Sequence, residues 1–169
     1  MIVRAEVLGD AEAIRQVTLS AFGQPDEADL VERLRAREPG YLGLVAVEGG
    51  EVVGHIAFSP VTLAPEPWEL SALGLAPMAV RPERQREGVG SMLVRAGLGR
   101  CRERGADAVF VLGHPTYYPR FGFGATRTER FALRDDYGAP PEAFMVQELT
   151  PGCLTGHRGT VHYAPAFAG

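Results

Sequence analysis

Ala79-Val80-Arg81-Pro82-Glu83-Arg84-Gln85-Arg86-Glu87-Gly88-Val89-Gly90-Ser91-Met92-Leu93 runs from an apolar strand through a charged turn into a helix. Gly88 and Gly90 let the backbone turn sharply and come close to a ligand. The first amide N–H groups of the helix that follows lack intrahelical acceptors, and together with the positive end of the helix dipole they attract an anion. The turn therefore reads as a pyrophosphate cradle made by Gln85, Arg86, Glu87, Gly88, Val89, Gly90 and Ser91.

Two other phosphate loops fail on the same residues. A dinucleotide fingerprint wants a third glycine three positions after Gly90, where Leu93 stands. A Walker loop needs a lysine, and the chain has none. The glycines alone would equally suit a plain connector between strand and helix, so the flanking elements decide. An apolar run from Leu75 to Val80 precedes the turn, and Gly105 is placed to end the helix. Ala108-Val109-Phe110-Val111-Leu112 then shows no alternation, as a strand covered on both faces requires. Strand, helix and strand make a parallel crossover.

Gln85, Gly88 and Gly90 fit the pattern Arg/Gln-x-x-Gly-x-Gly/Ala, and from Leu73 to Phe123 the chain resembles the GNAT superfamily of acyl-CoA-dependent N-acetyltransferases. The resemblance implies an α/β (α+β) fold over one domain, residues 1–169, with a mixed twisted sheet of about seven strands flanked by helices and splayed central parallel strands. It implies acetyl-CoA as cosubstrate and an amine as acceptor. The pantetheine arm would lie against main-chain groups of Met78, Ala79 and Val80, whose free N–H groups would also receive the oxyanion. In that family a tyrosine four residues before a Gly-Phe pair is often the general acid, and Tyr118 stands so before Gly122-Phe123. A thiol ionises at roughly 8.5 and a tyrosine at roughly 10, so a neutral phenol is a reasonable proton donor to a thiolate. As a bare residue Tyr118 would pass for a core aromatic beside Tyr117, Phe121 and Phe123. For the base, Glu69 early on the central strand and His114 at the end of its partner are candidates, with a chain of waters as the alternative.

Composition narrows the remaining classes. The 169 residues are enough for one domain with its own core, at 46% hydrophobic and 22% charged. A formal net charge of −4 argues against nucleic acid as partner. Arg81, Arg84 and Arg86 nevertheless make the glycine turn locally basic. All 17 basic residues are arginine, which removes Schiff-base chemistry on lysine. Cys101 and Cys153 form no disulfide framework, and His55, His114, His157 and His162 show no metal-ligand spacing. The longest apolar run, Leu70 to Val80, is too short to cross a membrane, so the cytoplasm is the expected address. Monomer and homodimer both stay open.

The rest of the chain is read in order. Ile2 to Glu6 is a strand, Asp10 caps a helix over Ala11 to Ala21, and Asp26 caps a second helix that Pro39-Gly40 stops. In the resembling family the loop between these helices overhangs the acceptor, and Gln24, Asp26, Glu27 and Asp29 would favour a cationic amine. The same residues are also ordinary choices at a helix start. Leu42 to Val47 and Val52 to Ser59 make a hairpin around Gly49-Gly50. His55 within it reads as packed and hydrogen-bonded rather than catalytic. Trp68 to Val80 is the central strand, with Gly74 and Pro77 marking a bulge. Val89, Met92, Leu93, Ala96 and Gly97 form the buried stripe of the next helix. Pro115 opens a short helix carrying Tyr117 and Tyr118, and Phe144 to Leu149 and Gly159 to Tyr163 are closing strands. A CoA-binding regulatory module without turnover is the second functional reading, supported by the unclear base.

Overall fold

The computed structural model describes residues 1–169, the side chains of residues 126 and 127 excepted. Its elements are β1 (Ile2–Ala5), α1 (Ala11–Phe22), α2 (Asp26–Arg37), β2 (Leu42–Glu48), β3 (Glu51–Pro60), β4 (Thr62–Ala64), β5 (Ala72–Val80), α3 (Val89–Glu103), β6 (Ala108–Leu112), α4 (Ala125–Arg130), β7 (Leu133–Asp135), β8 (Phe144–Glu148) and β9 (Gly159–His162). The strands form a mixed six-stranded sheet of order β1-β2-β3-β5-β6-β8 and a three-stranded sheet of order β4-β9-β7. Among the described residues there are thus nine strands, more than the expected seven or so, because the short strands β4, β7 and β9 make a second sheet beside the six strands of the main one. The chain divides into two compact units, one of Met1–Ser59, Ala76–Gly99 and Pro165–Gly169 and the other of Pro60–Leu75 and Arg100–Ala164.

In the first unit, Gly49 and Gly50 at φ 59 and 81 close the β2–β3 hairpin, and β1 adds antiparallel to β2. Ile14 and Val17 of α1 meet Val31 of α2, Val45, Val52 and Ala79 in one apolar cluster. Gly23 ends α1 at φ 72, its amide donating to the Leu19 carbonyl. Asp10 stands at the N-cap of α1 as expected but makes no capping side-chain bond, and Asp26 is not the cap of α2. The Asp10 carboxylate accepts from Arg4 and from the Val7 amide instead, and Asp26 is already the first helical residue after Pro25. On α3 the buried face is Val89, Leu93, Val94, Gly97, Leu98 and Cys101. Met92 is 40% exposed, one residue to the solvent side of that stripe.

Two missing side chains bring α3 down onto the sheet. A Cβ on Gly54 of β3 would stand 3.0 Å from both Leu93 and Val89, and one on Gly97 would strike the Phe58 ring at 2.5 Å. Packing this close leaves no slack for a methyl group.

In the second unit, Ala72–Leu75 pairs parallel with Ala108–Val111, and β8 pairs antiparallel on the other side of β6. The central strand begins at Ala72, not at Trp68. Ser71 is tied instead to Asp107, whose carboxylate accepts from its amide at 3.0 Å and whose own amide donates to its carbonyl at 2.7 Å. Trp68 stacks on Phe110, and Phe110 stacks on Phe144. The two closing strands part company: β8 joins β6, whereas β9 lies between β4 and β7 in the smaller sheet. The short helix after β6 is a 3-10 turn, Tyr118–Phe121, with Tyr117 as its cap and Pro119 in its first turn in place of Pro115.

Under α2 in the first unit lies a polar group of four. The Glu6 carboxylate accepts from Arg35 at 2.6 Å and Tyr41 at 2.9 Å and is bonded to His55 Nε2 at 2.7 Å. His55 is 1% exposed, the packed histidine expected from its strand position. Gly43 leaves the room for this group, since a Cβ there would collide with Glu6 and Tyr41. Burial alone would raise the Glu6 carboxyl, but the bonds from His55 and Arg35 outweigh it and hold it at about 2, below its ordinary 4.5. A carboxyl lowered on folding contributes stability above its unfolded value and loses it as pH falls from about 4.5 toward about 2. Glu6→Gln should therefore flatten the acid limb of a urea-unfolding pH series in that window. At pH 7 it should cost about 3 kcal/mol, since Arg35 then lacks its counter-charge.

Candidate active site

The first unit holds the whole expected cradle. Its strand β5 shows the alternation of a half-covered strand, with Ala79 buried at 3% and Met78 and Val80 partly exposed on either side. The Arg81 amide donates to the Val53 carbonyl at 2.9 Å, the last anchor to β3 before the chain turns away through the 3-10 turn Pro82–Arg84. The Gln85 amide group reaches back to the Val80 carbonyl at 3.0 Å, so the signature glutamine ties the turn to the strand end. Arg86 and Gly88 then take left-handed backbone, φ 65 and 87, and α3 begins at Val89.

The first helical hydrogen bond runs from the Met92 amide to the Gly88 carbonyl at 3.0 Å. The amides of Val89, Gly90 and Ser91 lie ahead of it and have no acceptor among the described residues. Space for a ligand is present too, since a Cβ on Gly88 would have no atom within 4 Å. The charge is more selective than the sequence suggested. Arg84 is clamped between Glu48 and Glu87, and Arg81 pairs with Glu51 at 3.3 Å, so both brace the turn. Arg86 makes no ion pair among the described residues and is the guanidinium left for an anion.

The second unit holds the three residues expected to do chemistry. Tyr118 opens the 3-10 turn after β6, with its ring edge-on to Tyr117 at 5.1 Å and to Phe123 at 5.7 Å. Gly113 leaves the ring its place, because a Cβ there would run into it. Burial, and then the neighbouring Tyr117, push the Tyr118 phenol up to about 12. His114 is exposed on the same turn, where its carbonyl accepts from the amides of Tyr117 and Tyr118 at 3.1 and 3.4 Å. Glu69 lies in the segment before β5, not on it, and its side chain is exposed. Tyr118 and His114 thus share one turn, and Glu69 belongs to neither that turn nor the strand.

Sequence reasoning missed the residue that fixes this turn from behind. With its amide nitrogen toward Phe121, Gln147 of β8 donates to the Phe121 carbonyl at 2.9 Å and accepts from Arg102 at 3.3 Å. Gly122 ends the turn at φ 97, where a Cβ would press on that amide at 2.9 Å. Only the glycine was visible in sequence. Of the acidic residues expected beside the acceptor, Asp29 accepts from Arg15 at 2.9 Å, and Glu27 from Gln24 at 3.0 Å. Among the described residues no cluster of His, Cys, Asp and Glu is arranged to hold a metal, and no helix is long and apolar enough to cross a membrane.

Comparison with known proteins places this geometry. A profile described as "Acetyltransferase (GNAT) domain" matches residues 3–126. YjhQ of Escherichia coli strain K12, an uncharacterized N-acetyltransferase, is 43% identical over 155 residues, covering 88% of this chain and 85% of its own. The crystal structure of the GNAT family N-acetyltransferase YhbS from Escherichia coli in complex with CoA superposes with a TM-score of 0.89 at 36% identity, over 99% of this chain and 92% of that one. A GNAT family acetyltransferase from Brucella melitensis in complex with acetyl-CoA gives 0.80 at 37%, over 98% and 97%.

The cradle geometry generates a direct test. CoA, whose pyrophosphate suits the free amides, should raise the melting temperature by mass action. Gly88→Val places a β-branched residue at φ 87 and fills the open space beside those amides, so it should abolish the shift while the unliganded protein still unfolds cooperatively. A full shift in the variant, measured by calorimetry, would dismiss the cradle.

Proposed function

Because the chain belongs to the acetyltransferase (GNAT) family and uses acetyl-CoA as its cosubstrate, we propose that it transfers the acetyl group to a primary amine by direct attack of nitrogen on the thioester carbonyl. The observation that carries this reading is the run of unpartnered amides at Val89, Gly90 and Ser91 beside Arg86. We read residues 1–169 as one such domain, since the aligned YhbS relative of Escherichia coli strain K12 covers 99% of the chain at 38% identity.

In this reading the pyrophosphate rests on the helix start, and the pantetheine arm follows Met78, Ala79 and Val80. Attack by the neutral amine forms the C–N bond and moves the carbonyl π electrons onto oxygen, where main-chain N–H groups of β5 stabilise them. Collapse breaks the C–S bond. Tyr118 donates its phenolic proton to the departing sulfur, and the proton shed by the new amide's nitrogen returns to the phenolate through water. At about 12 the phenol is neutral throughout the working range, so it is always loaded as a donor. Full transfer to a free thiolate, whose thiol ionises at roughly 8.5, is uphill. The two proton movements must therefore be coupled. With the His114 and Glu69 side chains both exposed and neither bonded to a partner among the described residues, water rather than a fixed side chain takes the amine proton.

An amine panel read out by release of free CoA thiol tests acceptor class and turnover together. Within that assay, Tyr118→Phe should lower kcat by roughly 10²-fold and leave the KM for acetyl-CoA within a few-fold. Tyr117→Phe is the control, because Arg120 covers the Tyr117 ring at 4.7 Å and that residue only caps the turn. Full activity in Tyr118→Phe would remove the acid assignment and leave the cofactor site standing.

A further inference from the structure

The three-stranded sheet carries a cavity of about 740 Å³ lined by none of the residues assigned above to acetyl transfer. Leu63 of β4 and the segment Pro65–Pro67 form one wall, and Ala132, Arg134 and the residues 156–159 leading into β9 form the other. Backbone geometry joins these walls at the base of the cavity, where Ala64 pairs with Thr160. Gly159 sits at φ 132, with its amide donating to the Ala132 carbonyl at 3.2 Å, and a Cβ there would collide with the Ala64 carbonyl. Ala132 itself takes φ 54, left-handed backbone that a side-chain-bearing residue adopts at a cost and that concentrates at functional sites.

The lining is that of a ligand pocket: an apolar surface with a few polar groups. Leu63, Pro65, Pro67 and Ala132 supply the apolar part. Arg134 and Arg158 supply the charge, both exposed, and neither side chain makes a hydrogen bond or ion pair among the described residues. That contrasts with Arg4, Arg15, Arg35, Arg81 and Arg84, each of which is spent on a carboxylate of the protein. His157 is fixed edge-on against Trp68 at 5.9 Å and lines the same space, and Glu66 is the single carboxylate there.

We propose that this cavity binds a small organic anion, its apolar body against Leu63, Pro65, Pro67 and Ala132 and its anionic group between Arg134 and Arg158. A guanidinium pairs equally with carboxylate and phosphate oxygens through parallel hydrogen bonds. In a chain of net charge −4 such a ligand is recruited by local charge alone.

Isothermal titration at low ionic strength with three probes, 4-phenylbutyrate, phenyl phosphate and 4-phenylbutylamine, tests this. The expected result is binding of an anion and not of the amine, with the two anions distinguishing a carboxylate from a phosphate site. The double variant Arg134→Gln/Arg158→Gln should weaken that binding at least tenfold and leave the CoA-induced melting shift at its wild-type value, which shows that the protein is folded and the cofactor cradle untouched. The proposal is overturned if neither anion binds the wild-type protein, if the amine binds as tightly as the anions, or if the double variant binds them undiminished.

Discussion

The distance between α3 and β3 governs the first unit, and two absent side chains set it. Gly54 and Gly97 let the helix settle until leucine, valine and phenylalanine side chains fill the space a methyl group would need. A helix held that closely has a fixed axis, so its first amides point where the strand–turn geometry aims them. The aim of those unpartnered amides is therefore a property of core packing. The groups presented at the helix start are main-chain amides, with the Arg86 guanidinium beside them.

The charged residues of the turn divide their labour on electrostatic grounds. Arg81 and Arg84 face acidic partners on the β2–β3 hairpin and hold the turn against it. Such exposed pairs contribute little individually, but Arg84 joins two segments at once, and this defines the position of Glu87 and of the residues that follow. Arg86, in left-handed backbone and without a carboxylate partner, keeps its charge available. In the other unit, Tyr118 is shaped by aromatic neighbours and by burial, which keep its proton in place.

What the sequence revealed followed from the range of the interactions involved. The strand–turn–helix around Gly88, the hairpin at Gly49-Gly50 and the buried strand Ala108–Leu112 depend on local backbone preference and on patterning within a few residues, and all three stand where the residues placed them. The start of β5 was misplaced because Trp68-Glu69-Leu70-Ser71 alternates apolar and polar residues as a strand does, whereas Ser71 is bonded to Asp107, far along the chain. Strands of three residues such as β4 and β7 are too short to show alternation, and their partner β9 is distant in sequence. The group of Glu6, Arg35, Tyr41 and His55 draws one residue from each of four segments, which no local pattern reports. Of the candidate site, the turn before α3 and the place of Tyr118 on a short helical turn were legible, whereas the support given by Gln147 and the neutralisation of two arginines were not.

The guanidiniums that brace and line the turn bear on self-inflicted chemistry. A thioester acylates any neutral amine held near it, catalyst or no catalyst, and a lysine in a basic pocket loses its proton readily enough to become such an amine. Arginine does not deprotonate in proteins and offers no comparable nucleophile. With no lysine in the chain, the protein can concentrate an activated acyl donor on its own surface without consuming it on its own side-chain amines.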